Sequence, residues 1–140
     1  MGIRILALDL EATLISDAMV PYPRPGLWDF LTFCTRNFER IVLFTCVASD
    51  DAEEVIQDLT GKGEIPPEFA NRLEYLDWHG SHKDLTFITE EIETVVLVDD
   101  DPNWVKTDQR SRWIPIQPWF SGADGELVRI RNLLCGMLSE

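Results

Sequence analysis

The sequence predicts an α/β fold built on a mostly parallel sheet. Three apolar runs, at residues 3–9, 40–45 and 94–99, have the length and β-branched content of strands buried on both faces. Segments of helical period lie between and after them. Each run also ends on a polar side chain: Asp9, Thr45 and Asp99. In open parallel sheets the carboxyl ends of the strands are where ligands bind.

The elements follow in order. Residues 3–9 form the first strand, and residues 10–24 a loop punctuated by Pro21 and Pro23. Pro25-Gly26 opens a helix whose apolar positions 27, 30, 31 and 34 fall on one face. The second strand, 40–45, leads to a helix at about 50–60, with Ser49 or Asp50 as its cap and Gly61 as its stop. Residues 61–71 read as loop, 72–76 as a strand and 84–91 as a short helix. The third strong strand is 94–99. Pro115 marks 113–116 as an edge strand. Asp124 caps a last helix at about 125–137, with Leu127, Ile130, Leu133 and Leu134 inward. Strands alternating with helices place helices on both faces of the sheet.

The chain has 140 residues, which suits one domain over 1–140, with a small insert at about 61–82 flanking the cleft. Asp and Glu number 25 against 12 Lys and Arg, a net charge of −13. That balance disfavours nucleic acid, whose binding rests on neutralising phosphates, and disfavours anionic membranes. No apolar run approaches the 18 or more residues of a membrane span. Cys34, Cys46 and Cys135 are widely spaced, without metal-site spacing. They read as small core residues in a reducing setting, and a cytoplasmic location is the expectation.

The acids gathered at the strand ends carry the chemistry. Crowded carboxylates repel and raise one another's pKa. A hard cation such as Mg²⁺ relieves that repulsion and takes oxygen ligands, including those of a phosphate. A carboxylate can itself be a nucleophile toward phosphorus. Phosphoryl transfer then calls for a hydroxyl and a cation beside the transferring group, and Thr45 and Lys83 are the candidates.

Asp9-Leu10-Glu11-Ala12-Thr13 resembles the first motif of the haloacid-dehalogenase superfamily, Asp-x-Asp-x-Thr after the first strand. Leu43-Phe44-Thr45, Lys83 and Asp99-Asp100 resemble its second, third and fourth motifs. Pro23-Arg24-Pro25-Gly26, His79-Gly80 before Lys83-Asp84-Leu85, Asp99-Asp100-Asp101-Pro102 and Trp119-Phe120 are similar to the small C-terminal-domain (NIF) phosphatase group. The likeness runs from about residue 3 to residue 134. A phosphorelay receiver also joins acids, a Thr and a Lys around Mg²⁺, but in another order along the chain.

The resemblance implies a three-layer Rossmann-like sandwich without a large cap domain, and a Mg²⁺-dependent phosphatase working through an aspartyl-phosphate. By position, Asp9 is the nucleophile and a metal ligand. Glu11 stands where the group has its general acid/base Asp, with its backbone carbonyl toward the metal. Thr45 and Lys83 hold the phosphoryl group, and Asp99 and Asp100 complete the metal site. The expected substrate is a phosphorylated protein or another accessible phosphomonoester, because 36 positions from Asp9 to Thr45 and 38 from Thr45 to Lys83 leave no room for a large cap. Trp78, His79 and His82 are possible substrate contacts. Glu11 departs from the pattern by one methylene. Members with an altered first motif serve as binding or import subunits, so a catalytically impaired binding protein is the alternative.

Overall fold

The computed structural model describes residues 2–139. Met1 and Glu140, the ends of the expected 1–140 domain, lie outside the described residues. Five parallel strands form one sheet in the order β3-β2-β1-β4-β5: β1 (Ile5–Leu8), β2 (Arg40–Leu43), β3 (Leu73–Tyr75), β4 (Val95–Asp99) and β5 (Trp113–Pro115). The expected α/β class is thus observed, with every strand pair parallel. β1 lies between β2 and β4, with Leu8 level with Leu43 on one side and Val98 on the other. The chain builds outward from β1 through β2 to β3, then returns and builds the other way through β4 to β5. The direction switches between β1 and β4, which is where such a sheet opens a crevice.

Four α-helices follow from local sequence. α1 (Leu27–Asn37) buries Leu27, Phe30, Leu31 and Cys34 at the spacing of one helical face. Gly26 precedes it with φ 86°, a left-handed turn that glycine adopts without a Cβ penalty. α2 (Ser49–Gly61) buries Ala52, Val55, Ile56 and Leu59, and carries Asp50 and Asp51 where the helix dipole favours negative charge. Ser49 is not its cap; its hydroxyl instead bonds the Asp77 carboxylate at 2.5 Å. α3 (Pro67–Arg72) lies in a stretch expected to be loop. Six residues opened by Pro66-Pro67 are too few to display a period, and burial of Phe69 decides the matter. α4 (Glu126–Leu138) buries Leu127, Ile130 and Leu134. Leu133 stays 45% exposed because it sits about 90° round the helix from that stripe.

Helical segments flank the sheet as expected, but the two faces carry different kinds. All four α-helices contribute to the core on one face, against Leu6, Leu8, Ile41, Leu43, Val96 and Val98. The other face, with Ile5, Ala7, Val42, Val95 and Leu97, is covered by Leu85, Val105 and their neighbours. Those neighbours are Leu76 and Trp78 after β3, Ile88 and Ile92 at the 3₁₀ turns Leu85–Phe87 and Ile92–Thr94, and Trp113 of β5. Residues 84–91 therefore hold a single 3₁₀ turn, capped by Asp84, instead of an α-helix. Residues 61–82 supply α3 and the edge strand β3, and from Leu76 onward they reach the cleft. No helix among the described residues is long and apolar enough to cross a membrane. The expectation that the cysteines are core residues holds for one of the three. Cys34 is buried, but Cys46 and Cys135 are exposed, since they fall on a strand-end loop and the outer side of α4.

Candidate active site

Asp9 follows β1 and Asp99 ends β4, so the parallel pairing of these strands sets the two carboxylates side by side. Lys83 lies between them. Its Nζ donates to Asp9 Oδ1 at 2.9 Å and to Asp99 Oδ2 at 2.5 Å, with all three residues buried. Lys83 belongs to no strand. Its amide donates to the Trp104 carbonyl at 2.7 Å, which ties the segment before the Leu85 turn to the loop after β4. That loop is shaped by its own acids. Asp99 Oδ1 accepts from the Asp101 amide at 3.0 Å, and Asp101 Oδ1 accepts from the Asn103 amide at 2.9 Å, capping the turn at Pro102–Trp104.

Electrostatics follow from this burial. Burial pushes the Asp9 carboxyl up to about 6, against the pull of the Lys83 ammonium. Burial likewise raises Asp99 to about 6, with Asp9's charge adding to the rise. Burial works to lower the Lys83 pKa, but the charges of Asp9 and Asp99 outweigh it and the net shift is upward. The ammonium therefore stays charged at neutral pH, and its third proton is free for a ligand.

Thr13 was part of the recognised motif but had no assigned role. Its fully buried hydroxyl lies 3.1 Å from Asp9 Oδ2 and 3.2 Å from Asp100 Oδ1, so it links the first motif to the fourth. Thr45 is buried just past β2. Its Oγ1 accepts from the Val47 amide at 3.1 Å, which leaves the hydroxyl proton available as a donor. The Trp78 indole donates to the Thr45 carbonyl at 2.7 Å, and Phe44 and Trp104 pack edge-on against the Trp78 ring. A cleft of about 290 Å³ opens beside Thr45, bounded by Cys46, Ser49, Asp77, Trp78 and His79. His82 is exposed, with its Nδ1 3.1 Å from the Ser81 hydroxyl.

Asp9, Asp99 and Asp100 each offer an oxygen within 4.8 Å of the others. Mg²⁺ holds oxygens at about 2.1 Å, so opposite ligands lie about 4.2 Å apart. Three hard oxygen donors with more negative charge than Lys83 balances fit such an ion after small side-chain adjustment. The Glu11 carboxylate is not in this group. Its Oε2 accepts from the Ala18 amide at 2.8 Å, in the loop that follows.

Arg24 is the second residue whose role sequence reading did not reach. It is buried, and its Nη1 donates to the carbonyls of Ala12 at 3.2 Å and Thr13 at 3.1 Å. Its Nη2 reaches the Gln117 carbonyl at 2.7 Å. The only sequence signal was its place in Pro23-Arg24-Pro25-Gly26.

Comparison with known proteins gives two relatives. The chain is 30% identical over 137 residues to the mitochondrial import inner membrane translocase subunit TIM50 of Phytophthora infestans, covering 93% of this chain and 32% of that protein. It is 31% identical over 109 residues to the same-named subunit of Neurospora crassa, covering 76% of this chain and 20% of the relative. The chain thus spans a third or less of the length of these relatives. Their names place them at the mitochondrial inner membrane, and this overturns the cytoplasmic expectation. Unpaired cysteines carry no compartment address. The pattern of the NLI interacting factor-like phosphatases matches residues 4–140. That match leaves almost nothing of the sequence outside it, and the chain belongs to the NLI interacting factor-like phosphatase family.

Proposed function

We propose that the chain is a Mg²⁺-dependent phosphohydrolase that takes the phosphoryl group of an accessible phosphomonoester, on a phosphoprotein in particular, onto Asp9. The observation that carries this is the buried Lys83 ammonium shared by Asp9 and Asp99. Such a cation orients the nucleophilic carboxylate and keeps a donor for the transferring group. When bound at Asp9, Asp99 and Asp100, with the Glu11 backbone carbonyl, Mg²⁺ supplies positive charge to the phosphoryl oxygens.

The chain's own residues then divide the work. An Asp9 oxygen bonds to phosphorus as the ester oxygen leaves, and that oxygen takes a proton from the Glu11 carboxyl. Glu11, now a carboxylate, takes a proton from water, whose oxygen attacks phosphorus and releases Asp9 and inorganic phosphate. The Thr45 hydroxyl and the third Lys83 proton donate to the phosphoryl oxygens throughout. The open cleft beside Thr45 admits a phosphorylated side chain on a protein surface.

A second reading has one specific observation in its favour. Glu11's carboxylate is engaged by the Ala18 amide and is not in the Asp9–Asp99–Asp100 group, which suits a domain that binds phosphorylated partners but turns them over poorly. The names of the relatives supply a setting for it, a subunit of a mitochondrial import assembly. Hydrolysis of an aryl phosphate with and without Mg²⁺ separates the two. Mg²⁺-dependent turnover that Asp9→Asn abolishes supports the phosphatase. No turnover in the wild type, with a large gain in Glu11→Asp, supports the binding subunit.

A further inference from the structure

Lys83 reaches Asp9 and Asp99 on a long, flexible stem, so the place of its ammonium depends on how firmly the backbone beneath it is held. No strand holds it. His79, Gly80, Ser81 and His82, just before it, are all exposed. Its own amide is tied to the Trp104 carbonyl. The rest of the hold comes from the two residues that follow.

Both of those residues are bonded by one side chain. The Leu85 amide donates to Gln109 Oε1 at 2.9 Å, and Gln109 Nε2 donates to Asp84 Oδ1 at 2.9 Å. Asp84 Oδ1 also accepts from the Thr86 amide at 2.9 Å and the Thr86 hydroxyl at 2.8 Å, which fixes the carboxylate that Gln109 meets. Gln109 is only 5% exposed, and a buried amide side chain costs stability unless its donor and acceptor are both used. Here both are used on the segment beside Lys83. Leu85 is also buried against the second face of the sheet, but apolar contact has no direction, and the hydrogen bonds do.

Gln109 stands on a fixed base. It lies in the 3₁₀ turn at Thr107–Arg112. From that turn Arg112 Nε donates to the Val95 carbonyl at 2.9 Å, and Arg110 Nη2 to the Pro102 carbonyl at 3.2 Å. Val95 opens β4, the strand that ends in Asp99. The backbone after Lys83 and the carboxylate that Lys83 binds are thus tied to the same strand, one through Gln109 and the other directly.

The structure assigns Gln109 the role of a positioning residue, which fixes the backbone at Asp84 and Leu85 so that the Lys83 ammonium stands between Asp9 and Asp99 with a proton left for the phosphoryl group. The role rests on the proposed contact of Lys83 with that group, which both readings of the function share.

Two measurements on the full chain test it: turnover of an aryl phosphate with Mg²⁺, and binding of inorganic phosphate to the Mg²⁺-loaded protein. Gln109→Met keeps the bulk of the side chain and removes both bonds. It is expected to lower kcat by on the order of 10-fold, as a misplaced group at the reacting centre does, and to weaken phosphate binding. In the Lys83→Met background the same change must leave phosphate binding where Lys83→Met alone puts it, because Gln109 acts through Lys83. Gln109→Glu keeps the bond from Leu85 but sets a carboxylate against Asp84, and it serves if the methionine variant does not fold. Adding Asp84→Asn returns a donor to that pair and must recover most of the loss, which a general loosening of the turn would not allow. A folded Gln109→Met variant with wild-type turnover and phosphate affinity overturns the assignment. So does an equal weakening of phosphate binding with and without Lys83. Absence of turnover in every protein, Glu11→Asp included, overturns the phosphohydrolase reading, while the phosphate-binding cycle still decides the role of Gln109.

Discussion

The Arg24 guanidinium grips Asp124 across 100 residues of sequence, Nε to Oδ1 at 3.1 Å and Nη2 to Oδ2 at 2.9 Å. The same guanidinium holds the carbonyls of Ala12 and Thr13, so the segment before α4 braces the first motif loop. Removing one partner of a buried pair leaves the other charge uncompensated, a loss of about 3–5 kcal/mol. Asp124→Ala is expected to lower stability by that amount in urea unfolding. It should also reduce phosphatase turnover, because Ala12 and Thr13 lose their brace. Unchanged stability would remove Arg24 from this role.

Lys83 is the only cation bonded to the Asp9 and Asp99 carboxylates among the described residues. Lys83→Met leaves two buried carboxylates facing each other, with an expected loss of about 3–5 kcal/mol in the metal-free protein. Mg²⁺ should recover part of this by supplying the missing charge, read as a larger Tm rise on Mg²⁺ addition than the wild type shows. Turnover should fall at least about 10²-fold, as the loss of an electrostatic group at the reacting centre does.

Stability of the metal-free protein should depend on pH in two opposed ways. Asp9 and Asp99 are raised from their usual 3.8 to about 6 by burial, so the folded state holds their protons more tightly than the unfolded chain. Their charged forms cost stability above pH 6, and the cost is relieved as pH falls through 6 toward 3.8. Glu126 is held down to about 2, first by its bond from Arg129, and its contribution is lost as pH falls below its usual 4.5. Urea midpoints should therefore rise as pH falls from 7 to about 4 and decline below that, where only the Glu126 loss continues. With saturating Mg²⁺ the buried acids stay ionised, and the rise from pH 7 to pH 5.5 should vanish.

Ala12 sits at φ 61° directly after Glu11. A β-branched side chain there is a genuine outlier. Ala12→Val is expected to cost about 1–3 kcal/mol, from strain at a left-handed position. A thermal melt of the two proteins checks it, and an unchanged Tm would mean that the loop relaxes.

The acids at the ends of β1 and β4 were legible because a buried strand leaves a nearly continuous apolar run, and the first charged residue marks its end. Thr45 was legible on the same ground. Lys83 was less so, since no periodicity surrounds it; it entered as the cation the chemistry calls for, and likeness to a known motif gave it a place. The 3₁₀ layer over the second face was also hidden. Three-residue turns carry no period, and their place is set by where Leu85, Ile92 and Val105 find cover against the sheet.

What the sequence determined by itself was the alternation of buried strands and amphipathic helices, and with it the list of side chains delivered to the strand ends. Both are local properties, written in the spacing of apolar residues. Tertiary structure alone decided which of those side chains meet. Lys83 comes between Asp9 and Asp99 because β1 and β4, far apart in the chain, pair side by side. Glu11 lies two residues from Asp9 in sequence, yet its carboxylate is not in the Asp9–Asp99–Asp100 group and accepts instead from the Ala18 amide. Hydrogen bonds to backbone groups act over about 3 Å and are sensitive to direction, so no spacing rule along the chain anticipates them.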